Sequence, residues 1–163
     1  MLGVPSVTSG DTSGVAAAAD LARKADSVLL VLGTDLTIAS EGRDAVNITL
    51  SPAQQALHRA VSAASSKPLT VIILSAVPVD ISDLLEDDNV GAVLWAGQPA
   101  VAALGIGDIL FGQKPPAGRM IQVRTIKNHL FLSLFALNCL PSTKTDDDPD
   151  HLPSVVRRPD QHL

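Results

Sequence analysis

The sequence predicts an α/β fold, a three-layer α/β/α sandwich around a mostly parallel sheet. Three short runs rich in leucine and β-branched residues indicate strands buried on both faces, because such strands form continuous apolar runs. Helical patterns separate these runs, and this alternation is typical of a parallel sheet with right-handed crossovers. The three predicted strands span residues 27–33, 69–75 and 91–97.

The predicted elements follow in the order helix, strand, loop, helix, strand, short helix, strand and helix. The first helix is alanine-rich and spans residues 15–25. The second begins at Ser51, a residue type that caps helix N-termini, with Pro52 at the first helical position. Gly105, Gly107 and Gly112 mimic part of a dinucleotide fingerprint, but they lie within a helical stretch, which favours helix packing and a glycine C-cap.

Length and composition indicate one globular domain with enough apolar surface for a core. The chain has 163 residues, of which 46% are hydrophobic and 18% are charged. Its 12 basic and 17 acidic residues give a net charge of −5, and the basic residues are scattered, so nucleic acid is not an expected partner. One Trp and three Phe, without any Tyr, cannot form the aromatic platform of a free-standing sugar-binding module.

The sequence offers no pattern for a metal or a cofactor. Cys139 is the single cysteine, so neither an internal disulfide nor a cysteine zinc site is expected. The four histidines show no ligand spacing, and His58 is interpreted as a helix-surface residue. The phosphate-binding Gly-Lys-Ser/Thr motif and the Gly-x-Ser-x-Gly nucleophile elbow are both absent from the sequence.

Three segments are predicted along the chain: an N-terminal extension (1–13), the α/β domain (14–119) and a disordered, proline-rich and charged tail (120–163). No apolar run reaches the length of about 18 residues that crosses a bilayer, so no membrane partner is expected. The N-terminus lacks the basic and apolar regions of a secretory signal. These features leave the cellular location open.

The carboxyl ends of the predicted strands are where a ligand site is expected, because ligands of open α/β sheets bind there. The loop after the first strand, residues 33–44, is longer than the usual connection of about 2–6 residues and carries Glu41, Arg43 and Asp44. These three residues form either a general-acid site or a surface salt-bridge cluster. Trp95 ends the third strand and either stacks on a sugar face or belongs to the core.

Several short strings in a fixed order make the chain resemble the C-terminal α/β sandwich domain of glycoside hydrolase family 3. The first strings are Gly33-Thr34-Asp35 and Glu41-Gly42-Arg43-Asp44. The later ones are Lys67-Pro68, Pro78-Val79-Asp80-Ile81, Leu94-Trp95-Ala96-Gly97, Asp108-Ile109-Leu110-Phe111-Gly112 and Pro116-Ala117-Gly118-Arg119. The first two look most like the β-xylosidase and β-glucosidase branch.

The resemblance implies one half of a retaining exo-glycosidase that acts on β-linked oligosaccharides. A TIM-like barrel domain, in cis or in trans, would supply an aspartate nucleophile, and Glu41 would be the general acid/base. Asp35, Arg43, Asp44 and Trp95 are the candidate substrate-binding residues. No cofactor and no metal are implied, and the family suggests an extracellular location.

The chain also departs from the family. Many xylosidase-like relatives have Glu-Ala-Glu where this chain has Ala39-Ser40-Glu41. A chain of this length cannot also hold a barrel of about 250 residues, so we expect a fragment or a separately encoded half that is inactive alone. The alternative is a non-catalytic domain that binds carbohydrate or protein. A face left without its barrel would expose apolar surface, so self-association is also expected.

Overall fold

The computed structural model describes residues 3–99, 103–116 and 118, and it confirms the predicted α/β class and the order of elements. The first helix ends earlier than predicted, because the N–H groups of Lys24 and Ala25 bond to carbonyls three residues back, those of Leu21 and Ala22. The elements are α1 (Val15–Ala22), β1 (Leu29–Gly33), α2 (Pro52–Ala64), β2 (Leu69–Leu74), α3 (Ser82–Leu85), β3 (Val90–Gly97) and α4 (Leu104–Leu110).

The three strands form a parallel sheet in the order β1-β2-β3. Val31, Ile72 and Leu94 lie side by side across the sheet and fix its register. The pairing of β2 with β3 is irregular near Gly91. A Cβ at this glycine would lie 2.9 Å from Cβ of Pro68, so a larger residue would disturb the irregular pairing.

One face of the sheet carries the hydrophobic core. Alternate strand residues, including Leu30, Val71 and Val93, pack there against Leu57 of α2 and Leu84 of α3. Burying one such leucine or valine side chain contributes about 1.5–3 kcal/mol relative to leaving it exposed. The cluster also includes Ala22, Leu32, Leu50, Val61, Leu69, Ile73, Val79, Ile81 and Val90.

The opposite face is covered unevenly. Ile72 and Leu94 are buried there, whereas Val31 in the same row is 51% exposed. Leu29, two residues earlier on β1, is 47% exposed. The edge strand β1 is therefore the least covered of the three strands on this face.

The carboxyl end of β1 is fixed by Gln54, a buried residue in the first turn of α2. The side-chain amide of Gln54 accepts from the N–H of Gly33 (2.9 Å) and donates to the carbonyl of the same residue (2.9 Å). It also donates to the carbonyl of Val7 at 3.2 Å. Gly33 has no room for a side chain, since a Cβ would lie 1.9 Å from the carbonyl oxygen of Leu74.

Helix α2 begins as predicted, but the burial of one of its residues differs from the prediction. Ser51 accepts from the N–H of Gln54 (3.4 Å), which confirms the predicted N-cap. The interpretation of His58 as a surface residue is wrong, because it is 3% exposed and its Nε2 lies 2.9 Å from Oδ2 of Asp87. The side chain lies on the same side of the helix as Leu57 and Val61, where α2 meets the chain before β3.

The His58–Asp87 pair has altered proton affinities. Burial lowers the pKa of His58, although Asp87 opposes this effect. Burial alone would raise the pKa of Asp87, but hydrogen bonds from Ser62 and Asn89, together with His58, lower it. Both groups therefore favour their deprotonated forms in the folded protein.

The residues that the structure describes end shortly after α4, at residue 118. Gly112 has φ +70° directly after this helix, which confirms the predicted glycine C-cap. The predicted disordered tail, residues 120–163, lies outside the described residues. Within residues 3–99, 103–116 and 118, no helix is long and apolar enough to span a membrane.

Candidate active site

The long loop begins where β1 and β2 end together. The N–H of Thr34 donates to the carbonyl of Leu74 (2.9 Å), which extends the parallel ladder by one residue. The Thr34 hydroxyl lies 2.6 Å from the hydroxyl of Ser75, which donates to the carbonyl of Val77 (2.7 Å). These bonds join the start of the loop to the segment that follows β2.

Asp35 shapes the first turn of the loop. Its Oδ1 accepts from both the backbone N–H (2.9 Å) and the hydroxyl (2.5 Å) of Thr37. Its backbone carbonyl accepts from the N–H of Ile38 at 3.1 Å. One carboxylate oxygen of this exposed residue is thus used within the loop, in an Asx turn.

Glu41 lies at the tip of a tight two-residue turn. Ser40 and Arg43 exchange two backbone hydrogen bonds, of 3.0 and 2.9 Å, so only Glu41 and Gly42 lie between the paired residues. Gly42 has φ +73°, a conformation that glycine adopts without steric cost. The turn leaves the Glu41 side chain exposed to solvent.

Glu41, Arg43 and Asp44 are all exposed, and they do not neutralise one another. Across the described parts of the chain, none of them forms an ion pair within 4.0 Å. The sequence left a surface salt-bridge cluster open as an alternative, and that pairing is not observed. The three charges therefore remain available to contact another molecule.

Arg43 and Asp44 line a shallow pocket of about 340 Å³ between the loop and the N-terminal segment. Neither Asp35, Glu41 nor Trp95 is part of its lining. The structure thus brings two of the five predicted site residues to one depression. The polar atoms of the pocket can donate hydrogen bonds to, and accept hydrogen bonds from, the hydroxyl groups of a small ligand.

The loop returns to α2 along a fixed path. Oδ1 of Asn47 accepts from the N–H of Thr49 (2.9 Å), and the carbonyl of Ile48 accepts from the N–H of Asp80 (2.8 Å). Leu50 then enters the core at 5% exposure. Both ends of the loop are therefore attached to the sheet side of the molecule, while its charged tip faces solvent.

Trp95 lies apart from the lining of this pocket. It pairs with Ile73 across the sheet and packs against the hydrophobic core cluster. Its indole N–H is buried and has no acceptor among the residues described. The core interpretation of Trp95 thus agrees with its contacts, and sugar stacking stays a prediction.

Sequence reasoning missed Gln54, the residue that holds the start of the loop. Gln54 precedes Leu57 by three positions and Val61 by seven, so all three share one face of α2. A polar residue on an apolar helix face is usually hydrogen-bonded inside the protein. That spacing was the signal available in the sequence.

The described residues were also compared with the side-chain clusters that bind metal ions. Among residues 3–99, 103–116 and 118, no cluster of three or more His, Cys, Asp or Glu side chains is placed to hold an ion. The loop itself offers the Glu41 carboxylate with the neighbouring guanidinium and carboxylate of Arg43 and Asp44.

Comparison with protein families gives a match to the glycosyl hydrolase family 3 C-terminal domain over residues 6–129. Similar curated proteins include probable beta-D-xylosidase 7 of Arabidopsis thaliana, 37% identical over 61% of this chain and 13% of that protein. Exo-1,4-beta-xylosidase xlnD of Aspergillus niger is 37% identical over 71% of this chain and 15% of that protein.

Solved structures agree with this result. A GH3 exo-beta-xylosidase (XlnD) in complex with a xylobiose aziridine probe has TM-score 0.65 and 38% identity, over 69% of this chain and 15% of that one. A beta-glucosidase from Kluyveromyces marxianus in complex with glucose has TM-score 0.56 and 31% identity, over 64% of this chain and 12% of that one. The chain thus spans roughly one seventh of the length of the proteins it matches.

Proposed function

Because the chain belongs to the C-terminal domain family of glycosyl hydrolase family 3, we propose that it supplies the general acid/base of a retaining β-glycosidase, with Glu41 in that role. The catalytic nucleophile would come from a barrel domain. The substrates would be β-linked oligosaccharides that carry xylose or glucose, the sugars named for its relatives.

The observation that carries the proposal is the position of Glu41. This carboxyl lies at the tip of a turn closed by two Ser40–Arg43 hydrogen bonds, at the carboxyl-end side of a parallel sheet. It is exposed and has no ion-pair partner among the described residues, so a second domain can approach it.

The chemistry assigns Glu41 two successive steps. In retaining hydrolysis the carboxylic acid first protonates the leaving oxygen, and the resulting carboxylate then removes a proton from the attacking water. The nucleophile must lie about 5–5.5 Å from Glu41, so the barrel must dock against the loop. Arg43 and Asp44 would then contact sugar hydroxyls, and Asp35 and Trp95 are the further proposed substrate contacts.

The test measures hydrolysis of xylobiose and of nitrophenyl β-xyloside and β-glucoside by the chain alone and mixed with a family barrel domain. We expect activity only in the mixture. Glu41→Gln should lower xylobiose hydrolysis by about 10²–10⁴-fold. For nitrophenyl glycosides the variant should lower the rate of the glycosylation step less, because nitrophenolate leaves without needing a proton.

Glu86→Gln is the matched control, since Glu86 is an exposed glutamate that follows α3 and lies outside the loop. It should retain the rate of the unmodified mixture. Unchanged xylobiose hydrolysis by Glu41→Gln would assign the acid/base role to another group. A mixture that forms a stable complex by size-exclusion chromatography but is inactive would instead indicate a non-catalytic interaction domain.

A further inference from the structure

The segment that returns from the loop to α2 contains the tripeptide Asn47-Ile48-Thr49. It has the pattern Asn-x-Ser/Thr, in which the asparagine side chain can receive an N-linked oligosaccharide. The 163-residue sequence contains no second tripeptide of this pattern. A three-residue pattern is short, so the conformation and exposure of its side chains decide whether the folded domain can carry a glycan there.

The side-chain amide of Asn47 is exposed, and the fold uses one end of it. Its Oδ1 accepts a hydrogen bond from the N–H of Thr49 (2.9 Å), which makes an Asx turn. Within the described part of the chain its Nδ2 has no hydrogen-bond partner. Nδ2 is the atom to which an N-linked glycan is attached, so the glycan would replace no existing contact.

The residues around Asn47 alternate between exposed and inward positions. Asn47 and Thr49 are exposed, whereas Ile48 is half-buried and Leu50 is buried. The carbonyl of Ile48 accepts from the N–H of Asp80 (2.8 Å), which holds this backbone against the segment that follows β2. The Thr49 hydroxyl has no hydrogen bond to any described residue. The side chains that an acceptor site needs therefore both face solvent on a fixed backbone.

We propose that Asn47 is an N-glycosylation site and that the folded domain carries the glycan on its surface. The donor is an oligosaccharide joined to a lipid through a diphosphate. Nδ2 of Asn47 forms a bond to the anomeric carbon of the donor, and the bond from that carbon to the diphosphate oxygen breaks. The lipid diphosphate leaves with the electron pair, and Nδ2 gives up one proton. The Thr49 hydroxyl completes the pattern that the transferase recognises.

This site is separate from the proposed acid/base. Glu41 lies at the tip of the turn closed by the Ser40–Arg43 bonds, six residues before Asn47, and it does not line the pocket of about 340 Å³. Asn47 does line that pocket, together with Arg43 and Asp44. Because Asn47 is exposed, a glycan would be attached at the rim of the pocket. The inference therefore holds whether or not Glu41 is catalytic.

The test expresses the full chain behind a heterologous secretory signal in a eukaryotic host that attaches N-glycans. Signal-cleaved chain from the cells and from the medium is analysed together, so inefficient secretion does not hide the result. We expect most of it to carry one glycan, seen as a gel shift that peptide N-glycosidase removes. Peptide mass spectrometry should then find aspartate at position 47 in place of asparagine.

Three variants separate the atoms of the site. Asn47→Asp keeps an oxygen acceptor for the Thr49 N–H but removes Nδ2, and Thr49→Ala keeps that N–H but removes the hydroxyl. Both variants should lose the gel shift. Thr49→Ser is the matched control for Thr49→Ala, because it retains a hydroxyl, and it should remain glycosylated.

Urea denaturation tests whether the folded domain accommodates the glycan. The glycosylated chain and Thr49→Ala, which keeps Asn47 without its glycan, should unfold at the same urea concentration, because the glycan replaces no contact of the fold. Signal-cleaved chain without a glycan, or a gel shift that persists in Asn47→Asp or Thr49→Ala, would overturn the proposal. Unfolding of the glycosylated chain at clearly lower urea than Thr49→Ala would overturn its structural part.

Discussion

The chain behaves differently after β1 and after β2, although both strands end at the same edge of the sheet. After β1 it enters an exposed loop with Glu41 at its tip. After β2 it returns to the core, where Ser75, Val79 and Ile81 are 0%, 2% and 1% exposed. One strand end thus presents charged groups to solvent, and its neighbour stabilises the fold.

The boundary between these two regions lies at Gly33. This residue ends β1 and pairs with Leu74 at the end of β2. Its N–H donates to the Gln54 side-chain amide, and its carbonyl accepts from the same amide. Changes at this boundary should lower the free energy of unfolding more than changes further along the loop. Four substitutions of graded effect, together with two control variants, test that division.

The largest effect is expected from Gly33→Ala. The added Cβ would lie 1.9 Å from the carbonyl oxygen of Leu74, and a backbone atom cannot move away without loosening the β1–β2 pairing. We expect a loss of at least about 3 kcal/mol in the free energy of unfolding, measured by urea denaturation.

Gly42→Ala is the matched control within the loop. Gly42 has φ +73° but open space around its Cβ position, so alanine costs only the backbone strain of about 1–2 kcal/mol. Equal losses for the two variants would show that the boundary at Gly33 is no more constrained than the loop tip.

The loss of unfolding free energy expected from Gln54→Leu is smaller than that from Gly33→Ala. Leucine leaves the N–H and carbonyl of Gly33 without their partners at a buried site, and the expected cost in unfolding free energy is about 2–3 kcal/mol. Gln55→Leu, the neighbouring control, loses a bond to the carbonyl of Leu50 (2.8 Å) at a partly exposed site, with an expected cost of about 1 kcal/mol. A reversed order would contradict the role of Gln54 at the boundary.

The third expected effect is a pH dependence of the free energy of unfolding, caused by the buried His58. The pKa of His58 is lowered in the folded protein, so between that pKa and the ordinary value of 6.5 the unfolded chain binds more protons. The free energy of unfolding should therefore decrease as pH falls below 6.5, by at most about 1.4 kcal/mol per pH unit. Urea denaturation between pH 7 and 5 measures this slope.

His58→Gln should remove this slope, although it lowers stability at neutral pH by breaking the contact with Asp87. The pKa of Asp87 is lowered from 3.8, so its contribution to stability is lost only at more acidic pH. The same slope between pH 7 and 5 in both proteins would mean that other groups cause it.

The regular parts of the fold were predictable because local sequence determines them. The apolar runs correctly predicted the three strands, Ser51 predicted the start of α2, and Gly112 predicted the end of α4. The partners of the buried His58 and Gln54 could not be predicted, because each partner is distant in sequence: Asp87 for His58 and Gly33 for Gln54. The burial of Gln54 itself was indicated by its spacing from Leu57 and Val61 on α2.

The candidate site was predictable in location but not in arrangement. Loop length and charge identified the segment that carries Glu41, Arg43 and Asp44. The reciprocal Ser40–Arg43 bonds that place Glu41 at a turn tip needed the structure, and so did the core packing of Trp95. A lone tryptophan at a strand end has two environments available, and only the register with Ile73 distinguishes them.

The smallest effect on stability is expected at the residue with the largest proposed role in chemistry. Glu41 is exposed and forms no ion pair within the described part of the chain, so Glu41→Gln removes no contact that the fold uses. We expect the free energy of unfolding to change by less than about 0.5 kcal/mol, measured alongside the Gly33→Ala variant. A loss above about 1 kcal/mol would mean that Glu41 stabilises the loop, and a fall in activity for Glu41→Gln would then no longer separate catalysis from folding.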